Sequence, residues 1–277
     1  MKITNTRNEL QDLLLGKRVG FVPTMGALHD GHLDLVRASK SRGLFTVVSI
    51  FVNPTQFNDP IDFEKYPVNR ERDLAMLESV NCDMVLIPSV TEVYAEGLNE
   101  DRFKHDFGFI ALDYEGAHRP GHFEGVGRIV NILFEFVKPQ VAFFGEKDFQ
   151  QLAVVRKMND MLALNIEIVG VPTRREQSGL AMSSRNERLS QKQLKKATKI
   201  YESLVWAKEN FREKSNAEIL ASIKVRFLED EEWSLEYFDL INPLSFQSIG
   251  LEKPTDVRAV IAAKLLEVRL LDNLKIA

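Results

Sequence analysis

The chain has 277 residues, enough for a substantial core and two domains, with 44% hydrophobic and 27% charged residues, an ordinary balance for a globular protein in water. Its formal net charge of -4 argues against a nucleic-acid partner that needs a broad basic surface. The lone cysteine, Cys82, excludes an internal disulfide and fits a reducing compartment such as the cytoplasm, while the absence of any run of about 18 apolar residues, or of a signal-peptide core near the N-terminus, argues against a membrane span or export.

Strand and helix signals alternate through the first two thirds. Residues 19–22 read as a strand, and Leu33, Leu35, Val36 and Ala38 as the apolar positions of the helix after it. A second strand is predicted at 45–51, a helix at 69–80 and a short buried strand at 84–87. A helix at 125–137, a strand at 141–144, a helix at 149–162 and a strand at 166–171 complete the series. This alternation predicts an α/β fold, a parallel sheet covered by helices on both faces, with ligands beyond the carboxyl ends of its strands. Between Pro172 and Asn186 the pattern changes. Charged amphipathic helices at 191–211 and 216–228 precede strand-like runs at 235–241, 257–263 and 267–271, a smaller α+β unit. The expected domains are 1–173 and 174–277.

Four motifs fall at strand ends or at this boundary. Pro23-Thr24-Met25-Gly26-Ala27-Leu28-His29-Asp30-Gly31-His32 joins the first strand to its helix. Backbone N–H groups at such a turn favour phosphate, two imidazoles add donors, and Gly31 lets an anion approach the backbone. Alone, His-x-Gly-His fits helix capping or surface histidines nearly as well; a metal site is weaker for want of a third nearby ligand. In Phe51-Val52-Asn53-Pro54-Thr55-Gln56-Phe57, the amides of Asn53 and Gln56 suit a polyhydroxy acid, or the segment is a plain Asn-Pro turn.

In Phe144-Gly145-Glu146-Lys147-Asp148-Phe149-Gln150-Gln151, Lys147 suits phosphate oxygens and Asp148 ribose hydroxyls. A solvated helix start explains Glu146 and Asp148 but not the paired glutamines. Met182-Ser183-Ser184-Arg185-Asn186 offers hydroxyls and a guanidinium for an anion clamp at a hinge, or a cap within a linker. Arg119 and His122 either face a carboxylate or form a loop with a satisfied histidine.

With these motifs in this order, and with the closing Val268-Arg269-Leu270-Leu271-Asp272-Asn273, the chain resembles the pantoate–β-alanine ligase (pantothenate synthetase) family nearly end to end. The family lies in the superfamily of nucleotidyltransferase-like proteins with a His-x-Gly-His motif. Cytidylyl- and adenylyltransferases and class I aminoacyl-tRNA synthetases share that motif, but not the full motifs around Gln56 and Gln151.

The resemblance implies a Rossmann-like parallel-sheet domain, a smaller C-terminal α+β lid domain, and a homodimer. It implies adenylation of pantoate by Mg-ATP, with pyrophosphate leaving, and then attack by β-alanine to give pantothenate and AMP. Met25, Gly26, Ala27, Leu28, His29, Asp30, Gly31 and His32 would line the ATP phosphates, with His32 as proton donor or charge stabiliser beside His29. Gly145, Glu146, Lys147 and Asp148 would hold ATP, and Asn53, Gln56 and Gln151 pantoate. Met182, Ser183, Ser184 and Arg185 would close over the phosphates, Lys147 and Arg185 sharing in catalysis. Arg174 matches the adenine contact, where other members often carry an apolar residue. The chain also departs from the family at Val68, at Arg72-Asp73, which leaves Asp73 as the magnesium candidate, and over 104–112.

Overall fold

The computed structural model describes residues 1–57, 63–64, 66–95, 97–98 and 105–277; of the atypical segment 104–112, Lys104 lies outside the described residues. Six parallel strands form the first sheet in the order β1 (Lys2–Thr4), β4 (Met84–Leu86), β3 (Phe45–Ile50), β2 (Val19–Thr24), β5 (Val141–Gly145) and β6 (Glu167–Val171). Successive side chains point to opposite faces and enter two separate cores. Phe21, Val47, Met84, Ala142 and Phe144 pack with helices Arg7–Leu14, His122–Val137 and Phe149–Met161. Val22, Val48, Val85, Val141 and Phe143 pack with helices Asp30–Ser41 and Arg70–Ser79. Burial on both faces is why these strands are near-continuous apolar runs in the sequence.

The second sheet is an antiparallel meander of β7 (Trp233–Ile241), β8 (Arg258–Leu265) and β9 (Val268–Lys275). Its core packs Ala259, Ile261, Ala263 and Leu265 with Ile200 and Leu204 of helix Lys199–Asn210 and with Ile219, Ile223 and Phe227 of helix Asn216–Leu228. Several sequence readings need correction: helix Arg7–Leu14 was not foreseen, the helix expected at 125–137 begins at His122, and the strand expected at 267–271 is Val268–Lys275. Strand β1 was not foreseen: it has only three residues, and its pairing with β4 defines it. The helix expected at 191–211 is two helices, Gln191–Ala197 and Lys199–Asn210. Between them the Thr198 hydroxyl donates back to the Lys195 carbonyl at 2.9 Å, a side-chain bond that competes with the helical ladder. Among the described residues, no helix is long and apolar enough to cross a membrane.

Register fixes where the motifs meet. Thr24 pairs with Ile50, and Gly145 pairs with Val171. β2 and β5 share only the pairs Gly20↔Val141 and Phe21↔Ala142; extending that register puts Gly145 level with Thr24. The segments after β2, β3, β5 and β6 therefore leave the sheet at one height. Chain order reverses between β2 and β5, the place where open parallel sheets form a ligand crevice.

Candidate active site

The turn after β2 is held from beneath. Gly26 and Ala27 both adopt positive φ, at 82° and 49°. The Asp73 carboxylate accepts from the N–H of Ala27 at 2.9 Å and of Leu28 at 2.7 Å. Burial pushes the Asp73 carboxyl upward, against the pull of those two bonds. Among the described residues, no group of three or more His, Cys, Asp or Glu is placed to hold a metal ion.

His29 precedes helix Asp30–Ser41, and its N–H donates to Nδ1 of His32 at 3.3 Å, the return bond a capping box makes from its third helical residue. With Nδ1 accepting, the proton of a neutral His32 sits on Nε2. The two rings lie 4.0 Å apart. Burial, then the Lys147 charge, lowers His29 to about 4. Burial, His29 and Lys147 lower His32 well below its ordinary value. Both are neutral donors at pH 7, not imidazolium ions. A Cβ on Gly31 would sit 3.0 Å from the His29 ring, so this glycine makes room for an imidazole as well as for an anion.

On the opposite wall, Gly145 leads into a single 3₁₀ turn, Glu146–Asp148, that carries Lys147. Lys147 Nζ lies 3.7 Å from Asp148. From the linker beyond β6, the Ser184 hydroxyl donates to the Ala27 carbonyl at 2.9 Å and ties the linker to the first turn. Arg174 reaches Asp34 at 3.2 Å with its guanidinium, while its carbonyl accepts from the Met182 N–H at 2.9 Å.

Over the crevice, Asn53 is saturated within the protein. Its Oδ1 accepts from the Tyr94 hydroxyl at 2.6 Å and from Thr55, and its Nδ2 donates to Gln56 Oε1 and the Gly125 carbonyl. The His122 ring donates from Nδ1 to the Gln56 carbonyl at 3.0 Å and accepts from Arg119 on Nε2 at 3.0 Å. Burial and the Arg119 charge lower His122 to about 4. Both ring nitrogens of His122 are thus partnered, and His122 and Arg119 also line the crevice.

One cavity collects Met25, His29, Gly31, His32, Asn53, Gln56, Gly145, Lys147, Asp148, Gln151, Arg174, Met182, Ser183, Ser184 and Arg185. Gly26, Ala27, Leu28, Asp30, Asp73 and Glu146 are not among its lining residues; the first three are backbone of the turn and Asp73 is its anchor. A cavity with paired imidazoles, a lysine and an arginine below two amides fits a phosphorylated ligand beside a hydroxy acid.

The chain matches the family model described as pantoate-beta-alanine ligase over residues 1–275. It is 43% identical to a pantothenate synthetase of Flavobacterium psychrophilum, over 99% of this chain and 98% of that one. A solved pantothenate synthetase of Thermus thermophilus superposes with a TM-score of 0.94 at 41% identity, covering 100% of this chain and 99% of that one. A solved pantoate–β-alanine ligase of Francisella tularensis, complexed with beta-gamma ATP and β-alanine, gives 0.81 at 33% identity, covering 99% and 97%. The chain belongs to the pantoate–β-alanine ligase family.

Its enzymatic function is accordingly the ligation of pantoate with β-alanine to pantothenate. Sequence reasoning missed three parts of this ligase's site. An apolar wall of Phe51, Val126, Ile129 and Val130 lies beside Gln56; helical periodicity gave no means of separating it from core. The paired glutamines both line the cavity but differ in freedom: Gln150 is buried and bonded to Ile110, Asp113 and Glu115, bonds that Gln151 does not share. Finally, Glu115 and Asn273 bind the second unit to the crevice. Arg269 forks onto the Glu115 carboxylate, and Tyr237 donates to it at 2.7 Å. Burial pushes the Glu115 carboxyl up, but Arg269, Tyr237 and Arg119 outweigh it and hold the value at about 2.

Proposed function

We propose that this crevice performs the ligation in two steps through pantoyl adenylate. The observation that carries the reading is the convergence of His29, His32, Lys147 and Arg185 on one cavity that also contains Gln56 and Gln151. Gln56 and Gln151 hold pantoate, with the apolar wall against its methyl groups. A pantoate carboxylate oxygen attacks the α-phosphorus of ATP, and the bond to the β-phosphate oxygen breaks. Such displacement needs alignment and charge neutralisation more than covalent help. Lys147 and Arg185 neutralise phosphate oxygens, and His32 Nε2–H donates as a neutral charge stabiliser beside His29. Asp148 takes the ribose, and the Arg174–Met182 backbone the adenine. The β-alanine amine then attacks the acyl carbon, its bond to the phosphate oxygen breaks, and AMP leaves as the amine loses a proton. Closure of the C-terminal unit, hinged near residue 173, shields the adenylate from water.

Magnesium would enter as the counter-ion of ATP and would supply positive charge to its phosphates. Asn53 and Asp73 act as supports in this scheme: Asn53 presents Gln56, and Asp73 shapes the turn at residues 25–28. The enzyme works in the cytoplasm as a homodimer, a state that light scattering would read directly.

Pyrophosphate release from Mg-ATP is the test. Release with pantoate alone, followed by pantothenate only after β-alanine is added, supports the two steps. Release that requires β-alanine from the start overturns the adenylate intermediate.

A further inference from the structure

The 3₁₀ turn Glu146–Asp148 carries Lys147 but has no side-chain cap, and helix Phe149–Met161 likewise begins without one. A missing N-cap concerns the N–H groups of the turn. Its carbonyls are held separately, from β9. Nδ2 of Asn273 donates to the Glu146 carbonyl at 2.9 Å and to the Lys147 carbonyl at 2.9 Å. Asn273 is 4% exposed, and its Oδ1 accepts from Arg258. Arg258 in turn lies over the Phe149 ring at 4.0 Å and beside the Glu146 carboxylate at 3.8 Å. Both ends of the amide are thus committed to the segment around Lys147.

The same strand reaches the linker. Asp272 accepts the Arg175 fork, at 2.5 and 3.0 Å, and Arg175 also donates to the Asn273 carbonyl at 3.3 Å. Arg175 bridges to Ala181, next to the segment Met182, Ser183, Ser184 and Arg185. Asn273 therefore holds the turn that carries Lys147, while Asp272 holds Arg175 of the linker that leads to Met182–Arg185.

We propose that Asn273 is a positioning residue for Lys147, through which the C-terminal unit sets the lysine against the phosphate being transferred. The inference rests on the phosphate role given to Lys147 above. A planar amide with two N–H donors can hold adjacent carbonyls of a tight turn, and the turn direction sets where the lysine stem starts. Aspartate has the same shape and still accepts from Arg258, but it presents an oxygen to both carbonyls and repels them. Asn273→Asp therefore removes the grip while keeping the volume.

The test is pantoate-dependent pyrophosphate release by the full chain, for Asn273→Asp, Asn273→Ala, Lys147→Ala and the double variants. A misplacement of about 1 Å in an aligned group costs on the order of 10²-fold in rate, so Asn273→Asp is expected to lower kcat by about that factor. Both KM values should move by less than about threefold, as for an interaction made in the transition state. Because Asn273 acts through Lys147, the double variant should be slower than Lys147→Ala by no more than about threefold.

Losses that multiply in full, a rise in KM with kcat unchanged, or a normal kcat would each overturn the proposal. Failure of both Asn273 variants to fold would also overturn it, assigning the residue to the scaffold. Wild-type activity of Lys147→Ala would instead sink the phosphate role itself. A slow Lys147→Ala beside a normal Asn273→Asp would sink only the present inference.

Discussion

Replacing Asp73 by asparagine separates a loop anchor from a magnesium ligand. The two carboxylate oxygens each accept one backbone N–H, from Ala27 and Leu28. Asparagine keeps one acceptor and turns an NH₂ group toward the other N–H. One hydrogen bond to a charged group, worth about 1.5–3 kcal/mol, is lost, and the second weakens to a neutral bond of about 1 kcal/mol. Relief of the carboxylate's burial offsets part of this, leaving a net loss of about 2–3 kcal/mol. For a chain of this size, that lowers Tm by roughly 5–10 °C. Calorimetry reads the stability, and pyrophosphate release titrated with ATP and with Mg²⁺ reads the site. The expected result is a lower Tm and a raised KM for ATP, with the Mg²⁺ requirement unchanged relative to ATP. An unaltered Tm with a requirement for Mg²⁺ raised about tenfold would refute the anchor and return Asp73 to the metal.

Three further outcomes follow from the geometry. In Gly125→Ala the new Cβ would lie 2.5 Å from the Thr55 carbonyl oxygen and 3.0 Å from Gln56 Cα. The displaced Gln56 should raise KM for pantoate by about tenfold while leaving KM for ATP nearly unchanged, an effect of about 1.4 kcal/mol in initial-rate kinetics; equal changes in both would count against it. Glu115 falls from 4.5 to about 2 on folding, worth about 3 kcal/mol that is present above pH 4.5 and lost as pH drops toward 2. The Tm difference between wild type and Glu115→Gln should shrink across that window, and a pH-independent difference would contradict the ion pair. For the imidazoles, whose folded values are depressed, the unfolded chain takes up protons first, so their contribution to stability declines as pH falls below 6.5. Nuclear magnetic resonance of the free enzyme should show His29 and His32 neutral at pH 6, with His29 titrating near 4; an imidazolium at pH 6 would restore the proton-donor role.

The parallel sheet was legible because its strands are buried on both faces and its helices present long apolar stripes. Helix Asn216–Leu228 was bounded correctly, and the structure shows a Ser215 capping box at its start. What escaped depends on partners far away in sequence. β1 is a strand by virtue of β4, and Asn273 matters because β9 reaches the turn after β5. In the site, sequence identified residue types that suit phosphate and amide chemistry. It could not distinguish Asn53 from Gln56, because saturation of an amide by Tyr94, Thr55 and Gly125 leaves no local trace. The same holds for the backbone partners of Asp73, the N–H groups of Ala27 and Leu28, which lie 46 and 45 positions away in sequence.

The seam between β2 and β5 bears on how the molecule matures. Its two paired positions, Gly20↔Val141 and Phe21↔Ala142, join segments 121 positions apart, and the walls of the crevice rise from either side of it. Closing so long a loop carries an entropic cost before any contact across it is gained, which makes such pairings slow. The parallel pair β2 and β3 with the helix between them can organise early, yet they supply only one wall. Nucleotide affinity should thus arise as an all-or-none property near the end of folding, and protection by ATP would mark finished molecules rather than progress toward them.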